Sequence, residues 1–362
     1  MTFIFWQNMI SMYQSSFLRN LAETHNVILV TESEIEPLRI KHGFYIPDHG
    51  KVQIIVSPNK DEISKLCKMD AIHIVSGAHV YKIPHKAFKL AIKTNAIVAI
   101  FSEPFKCMGV KGKLRFLKYW LFRIRYSKHV SFILTTGERG RWCFESVGFS
   151  RSIIYDWAYF TETHTIAIRE NQTKDIKLLF IGSIDTRKNI LRLISVCKKL
   201  ECIDNLNIIG TGPLENQLQQ AIRNTNCNYL DKVPNQEIHK IIGDSDVLIL
   251  PSIYDGWGVV VSEALMCGTP VIASSNCGSS VLLQGIRGRV FSIEEDNLEE
   301  VLQDFLTVLP YDAGKREEIK HWALQNISGE TAARYFDEII SDVMGNTTQR
   351  PVAPWLIEKE AN

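Results

Sequence analysis

The stretch VLILPSIYDGWGVVVSEALMCGTPVIAS, residues 247–274, reads as a strand, a loop, a helix and a second strand. VLILP (247–251) and PVIAS (270–274) are short apolar runs suited to strands covered on both faces of a sheet. The loop after Pro251 then lies at the carboxyl edge of that sheet, where open α/β folds bind their ligands. Asp255 and Glu263 are separated by seven residues, with the Gly256–Gly258 turn and the start of the helix between them. A helix that begins near Gly258 points its free amides into the site, a suitable place for phosphates or hydroxyls. Glu263 falls about one and a half turns further on, and its carboxylate can accept two hydrogen bonds from a vicinal diol. Gly268-Thr269-Pro270 ends the helix and feeds the second strand.

The same alternation extends outward. IKLLFIG (176–182), a helix around 189–200, LNIIG (206–210) and a helix near 213–224 precede the stretch, so the second half forms one α/β unit with a parallel sheet. The first half repeats the grammar. FIFW (3–6), a helix around 13–24, VILV (27–30), VQIIV (52–56), AIHIV (71–75), a helix around 84–93 and AIVAIF (96–101) are followed by a long helical stretch over about 111–127 and VSFILT (130–135). Residues 157–175 are largely polar and irregular, which suits an interdomain hinge. A helix near 329–344 and the tail PVAPWLIEKEAN close the sequence. The expected division is 1–165, 166–340 and a tail over 341–362, with a return of the tail to the first domain left open.

At 362 residues the chain suits two domains of ordinary size. With 45% apolar and 22% charged residues it has the composition of a soluble globular protein. No apolar run approaches the length of a membrane span, and the start lacks the pattern of a signal peptide. The eight cysteines are scattered, without CxxC pairs or a His cluster at zinc-like spacing, and read as thiols in a reducing compartment. The cytoplasm is therefore the expected location. Residues 1–165 carry 22 Lys/Arg against 13 Asp/Glu, whereas residues 166–362 carry 19 against 27. Halves of opposite sign suggest domains with different partners.

The segment from Asp255 to Glu263, with its glycines, Pro270 and flanking strands, resembles the acidic-x7-acidic signature of the glycosyltransferase group 1 family, family 4. The resemblance implies a GT-B fold, an α/β architecture of two Rossmann-like parallel-sheet domains facing across a cleft, and transfer with retention of anomeric configuration. It places Asp255, where the family usually has Glu, at the donor sugar's hydroxyls and Glu263 at the ribose of the nucleotide. The acceptor-binding domain would be 1–165 and the donor-binding domain 166–340. Upstream, Gly182 ends a strand and Arg187-Lys188-Asn189 opens a helix. The family commonly has Arg directly after this Gly and Lys five residues further on, both at the donor diphosphate. Here Ser183 holds the first position, Lys188 matches the second, and Arg187 is a candidate for the missing charge. Cations are chemically required there, because negative charge grows on the leaving nucleoside diphosphate.

GTGPLENQL (210–218), with Gly212, resembles the family's glycine turn beside the nucleotide. It is not a dinucleotide fingerprint, because Glu215 stands where the third Gly belongs. Cys277-Gly278-Ser279-Ser280 occupies the place of a Gly-rich loop that usually ends in Glu; the Glu is absent, and the backbone amides of the loop, which includes Gly278, remain candidates to face the phosphates. Asp244-Ser245-Asp246 looks like a metal-binding DxD but precedes an apolar run, on the opposite edge of the sheet. It reads as a helix end and turn, so no metal is expected at the donor.

The first half resembles the family's acceptor domain only in outline. FWQNMISMYQ replaces the Gly-rich loop after the first strand and offers Asn8 and Ser11. Many relatives have a His after the strand corresponding to AIVAIF; here Ser102-Glu103-Pro104 follows. Glu103 reads equally as a residue at the acceptor or reacting centre and as an ordinary loop acid. His73, inside AIHIV, reads as a buried strand histidine rather than a catalyst. Residues 106–129 hold eight Lys/Arg and no acid, with Phe116, Tyr119, Trp120, Phe122 and Tyr126 among them. That composition suits an anionic membrane surface, and equally a domain helix with its apolar stripe turned inward and its charges in water. No nucleic-acid-binding motif accompanies the charge.

The resemblance thus implies a retaining, metal-independent glycosyltransferase that takes a nucleoside diphosphate sugar as co-substrate, without a further cofactor. The implied acceptor is a saccharide or lipid-linked saccharide in bacterial surface polysaccharide or lipopolysaccharide synthesis, on the inner face of the plasma membrane. A sugar-nucleotide epimerase or phosphorylase of the same fold, and a catalytically silent nucleotide-sugar-binding subunit, are the alternatives.

Overall fold

A computed structural model describes residues 1–35, 40, 45–105, 109–163, 166, 168, 175–294 and 298–357. The expected hinge over 157–175, the start of the basic segment at 106–108 and the last residues of the tail therefore lie partly outside the described residues. The chain divides into two compact units, Met1–Glu162 with Ile327–Asn362, and Thr163–Asn326.

The first unit holds a seven-stranded sheet made of β1 (Thr2–Met9), β2 (Asn26–Ser33), β3 (Gln53–Val56), β4 (Ile72–Ser76), β5 (Val98–Ser102), β6 (Phe132–Thr136) and β7 (Ile154–Trp157). Its order is β3-β2-β1-β4-β5-β6-β7, with all neighbouring strands parallel. The central strands are apolar almost throughout, as expected where helices cover both faces. His73 lies within β4, fully buried, and receives a hydrogen bond at Nδ1 from Trp6 Nε1 at 3.2 Å. It is a core residue.

The second unit holds a six-stranded sheet of β8 (Leu178–Ile181), β9 (Leu206–Ile209), β10 (Asn228–Leu230), β11 (Val247–Leu250), β12 (Val271–Ser274) and β13 (Gly288–Phe291). The order is β10-β9-β8-β11-β12-β13, again parallel throughout. β8 and β11 are adjacent at the centre, and the chain winds away from them in opposite directions. The loops after these two strands part company there, which opens the crevice that such sheets use for ligands.

The helix Gly329–Val343, placed in the second domain by the sequence reading, packs in the first unit. Its buried stripe includes Ala332, Phe336, Ile339 and Ile340. Phe336 meets Phe3 and Phe17 edge-on, at centroid distances of 5.2 and 5.4 Å, and Tyr335 stacks on Trp157. Polar ties reinforce the packing: Tyr155 Oη donates to Asp342 Oδ2 at 2.6 Å and Tyr335 Oη to the Asp156 carbonyl at 3.0 Å. Gly329 passes so close to Ser16 that a side chain there would collide with its backbone. Trp355 of the tail lies 5.8 Å from Phe160, so the tail also packs in the first unit.

Candidate functional site

The loop after β8 brings two cations to the switch point of the second sheet. Asp185 shapes it: its Oδ1 accepts from the Lys188 amide and its Oδ2 from Ser183 Oγ, both at 2.8 Å. This local turn places Arg187 and Lys188 just before the helix Ile190–Lys199, whose cap Asn189 has a left-handed backbone. The Lys188 stem passes over Gly182, where an added Cβ would stand 3.3 Å from Lys188 Cδ and Cε. Lys188 is thereby largely buried, at 8% exposure, and its ammonium can reach only what the crevice presents.

What it reaches is Asp255. Lys188 Nζ donates to Asp255 Oδ2, and Arg187 Nη1 lies 3.5 Å from the same oxygen. Arg187 is also held by Ser183 Oγ at 3.2 Å and by the Tyr254 carbonyl at 3.4 Å. The Ile253 amide donates to the Arg187 carbonyl at 2.8 Å, so the loops after β8 and β11 are joined through backbone as well as charge. Ser183 occupies the position where the related pattern carries Arg, and its hydroxyl braces the guanidinium of Arg187 instead.

The glycines serve close packing. Gly258 caps the helix Val259–Met266 with φ at +86°, a left-handed conformation that L side chains rarely adopt. Gly210 and Gly212 let the loop after β9 touch the loop after β8, against the carbonyls of Gly182 and Ile184. The Gly212 amide donates to Glu215 Oε1 at 2.6 Å and the Gly182 amide to the Ile209 carbonyl at 3.0 Å. The Gly278 amide is engaged between the loops: it donates to the Asp255 carbonyl at 3.3 Å. The reason is a parallel bridge between Asp255 and Cys277, which draws the loop after β12 onto the Gly256 carbonyl. Trp257 is buried, its indole nitrogen donating to Ser262 Oγ at 3.1 Å, and it anchors the turn from beneath.

Glu263 sits in the second turn of the helix Val259–Met266, partly buried. Among the described residues no hydrogen bond to its carboxylate is found, and burial pushes the carboxyl up to about 7. An acid in that state can take up hydroxyl donors without first breaking an ion pair. The first turn of the same helix leaves amides without intrahelical acceptors, as every helix start does.

Asp244 and Asp246 stand apart from this group. Asp244 ends the helix Asn235–Asp244, at the amino edge of β11. Asp246 is buried, with Oδ2 accepting from the Lys177 amide at 2.8 Å and Arg316 within 4.0 Å. Arg316 in turn donates to the carbonyls of Ser245 and Gly243. The pair fastens that edge of the sheet.

In the first unit, Glu103 follows β5 and is exposed, accepting from Tyr159 Oη at 2.5 Å. Asn8 is the penultimate residue of β1, its carbonyl accepting from Ser33 Oγ at 3.3 Å, and Ser11 caps the helix Met12–Leu21 without a side-chain bond.

Residues 162–310 match the model of the family described as glycosyl transferases group 1. The match falls within the second unit, and it is there that the chain is similar to this family. A Klebsiella pneumoniae protein described as an uncharacterized 41.2 kDa protein in the cps region is 30% identical over 141 residues, which is 38% of this chain and 39% of that one. The Campylobacter jejuni N-acetylgalactosamine-N,N'-diacetylbacillosaminyl-diphospho-undecaprenol 4-alpha-N-acetylgalactosaminyltransferase is 25% identical over 177 residues, 48% of this chain and 46% of that one. The chain thus spans less than half the length of these curated relatives in the matched regions. The crystal structure of Anabaena HepE in complex with UDP superposes with a TM-score of 0.69 over 94% of this chain and 100% of that one, at 12% identity. With two Rossmann-like parallel-sheet units in one chain, this likeness shows the GT-B fold.

Within the second unit, the structure brings Gly182, Arg187, Lys188, Asp255, Gly256, Gly258 and Gly278 into one set of interlocking loops. Sequence reasoning missed Asp185, which organises both cations. An acid two residues after Ser183 and three before Lys188 is the spacing of a local side-chain-to-amide turn, so the signal was present.

Proposed function

We propose that this chain is a glycosyltransferase that moves a sugar from a nucleoside diphosphate donor to a hydroxyl acceptor with retention. The observation that carries this reading is the convergence of Lys188 and Arg187 on Asp255 at the switch point between β8 and β11. As the bond from the anomeric carbon to the diphosphate oxygen breaks, negative charge grows on the departing phosphate. Two fixed cations in a partly buried crevice stabilise that charge without reorganising. In this role Lys188 and Arg187 hold the diphosphate, and Asp255, while keeping the cations in place, turns its second oxygen to hydroxyls of the donor sugar. Glu263 takes the vicinal diol of the ribose. The departing phosphate accepts the acceptor's proton on the same face, so no protein nucleophile is required. Because the cations are supplied by side chains, transfer is expected to continue in EDTA.

The nearby relatives and the structural neighbour support a surface-polysaccharide setting. One relative is named for transfer to a diphospho-undecaprenol-linked saccharide, another for a cps region, and the neighbour holds UDP. We assign the acceptor to the first unit, with Glu103 as the candidate contact, and the acceptor class to lipid-linked saccharides. The test is incubation with labelled UDP and GDP sugars and an undecaprenyl-diphosphate-linked saccharide. Matched release of nucleoside diphosphate and a glycosylated lipid of preserved anomeric configuration is expected. Inverted product would overturn retention, and nucleotide binding without turnover on any acceptor would leave a silent binding subunit.

A further inference from the structure

The helix Gly109–Tyr126 has two apolar faces, and the fold uses only one. Gly112, Tyr119 and Phe122 are buried, with Tyr119 stacked on Phe105 at 3.9 Å between ring centroids. On the opposite side stand Val110, Leu114, Leu117, Leu121 and Ile124, with exposures of 78, 64, 49, 53 and 52%. Their spacing of four, three, four and three residues keeps them in one narrow stripe along the whole helix. Trp120, 42% exposed, borders the stripe on one side. A solvent-facing helix ordinarily shows polar residues there, so the reading in which this helix turns its apolar stripe inward and only charges to water accounts for half of what is seen.

The charges complete the pattern. Lys111, Lys113, Lys118 and Arg125 are exposed along the flanks of the stripe, and the helix carries no acid. Lys118 Nζ donates to the His79 carbonyl at 3.0 Å, which brings the loop after β4 alongside; its Val80 is 61% exposed and adds to the apolar surface. No helix among the described residues is long and apolar enough to cross a membrane. A stripe of large aliphatic side chains with Trp at its border and Lys/Arg on its flanks is the arrangement that lies in the plane of a lipid interface, aliphatic groups among the acyl chains and cations at the headgroups.

We infer that the outward face of the helix Gly109–Tyr126, together with Val80, docks this protein on an anionic phospholipid surface. The unbroken positive charge selects this occupant. A second copy of the chain meeting the same stripe about a twofold axis would set lysines against lysines, whereas an anionic bilayer neutralises them.

The test is flotation of the full chain, without nucleotide, with vesicles of phosphatidylcholine alone and of phosphatidylcholine with phosphatidylglycerol. Binding to the phosphatidylglycerol vesicles, weakened by salt, is expected. The variants Leu114→Ser/Leu121→Ser and Lys111→Glu/Lys113→Glu change only exposed positions; each should reduce binding on the order of tenfold or more. Unchanged melting temperature and circular dichroism in the variants confirm that the fold is intact. Failure of the parent chain to float, or parent-level binding by the Leu114→Ser/Leu121→Ser variant, would overturn the inference. So would a parent dimer in sedimentation velocity that this variant dissolves, which would assign the stripe to a second copy. None of these readouts depends on the donor site, so the two proposals fail separately.

Discussion

Lys188 donates through Nζ to Asp255 Oδ2, tying the loop after β8 to the loop after its neighbour β11. The pair joins residues 67 positions apart in sequence at the one place where the second sheet's connections diverge. An ammonium and a carboxylate in this relation do different work for a diphosphate ligand. The cation attracts it, and the anion limits how strongly.

That asymmetry separates two variants. Lys188→Ala should weaken nucleoside diphosphate binding by about 1.5–3 kcal/mol, roughly tenfold or more, while leaving affinity for the bare nucleoside unchanged. Asp255→Asn should bind nucleoside diphosphate at least as tightly as the parent, yet lose turnover on the order of a hundredfold. Calorimetry and initial rates measure both. Equal weakening of nucleoside and nucleoside diphosphate by Lys188→Ala would remove this residue from the phosphates.

Glu263 gives a pH dependence of definite sign. Burial raises its carboxyl to about 7, and a carboxylate is needed to accept both hydroxyls of a diol. Nucleotide affinity should therefore rise between pH 6 and pH 8 and then level off. The stability effect runs the other way. A carboxyl raised in the folded state resists ionisation there, so stability falls as pH climbs from about 4.5 through 7. Glu263→Gln should match the parent's stability near pH 5 and exceed it by about 1–3 kcal/mol at pH 8, after allowance for partial exposure, while losing nucleotide affinity. A variant that binds as the parent does and melts no higher at pH 8 would contradict both roles.

Gly278 tests the loop packing. A Cβ there would run into the Gly256 carbonyl and push the loop after β12 away from Asp255. Gly278→Ala should lower stability by about 1–3 kcal/mol and weaken nucleotide binding with it. Thermal melting and titration of the variant read both; parent values in each would show that the contact yields without cost.

Much of the second unit was legible because its signals are local. Apolar runs of four or five residues between glycines and prolines marked β8, β9, β11 and β12, and the Asp255–Glu263 spacing placed one acid at a loop and the other on a helix. β10, with Asn228 exposed and only three residues, and β13, with Arg289 and Val290 outward, have no apolar run to read. The partner of the helix Gly329–Val343 was hidden for a different reason. Its stripe of Ala332, Tyr335, Phe336 and Ile339 announces a buried face, but periodicity does not say which sheet covers it; the aromatic set of Phe3, Phe17 and Trp157 does. The same limit applies to Gly278. Sequence marked a glycine in a loop, and only the bridge between Asp255 and Cys277 shows where its amide goes.

Acid should weaken the first unit through His73. The ring is fully buried in β4, and burial lowers its pKa to about 4 from an ordinary 6.5. The unfolded chain then binds a proton that the folded one refuses, so stability is fully present above about pH 6.5 and falls as pH drops towards 4. The loss amounts to as much as about 3 kcal/mol, and His79, also lowered to about 4, acts in the same direction. Denaturant unfolding followed at pH 7.5 and 4.5 should show the drop, and His73→Asn should show less of it. A flat profile in the parent chain would contradict the assignment.

Calorimetric titration of the full chain and its Lys188→Ala and Glu263→Gln variants with UDP, GDP and ADP, at pH 8, tests the donor site most directly. At least one nucleotide is expected to bind the parent chain, with both variants weakened about tenfold or more. Absence of binding by all three nucleotides, or equal affinity in the parent and both variants, would contradict a nucleotide-sugar site built on these residues.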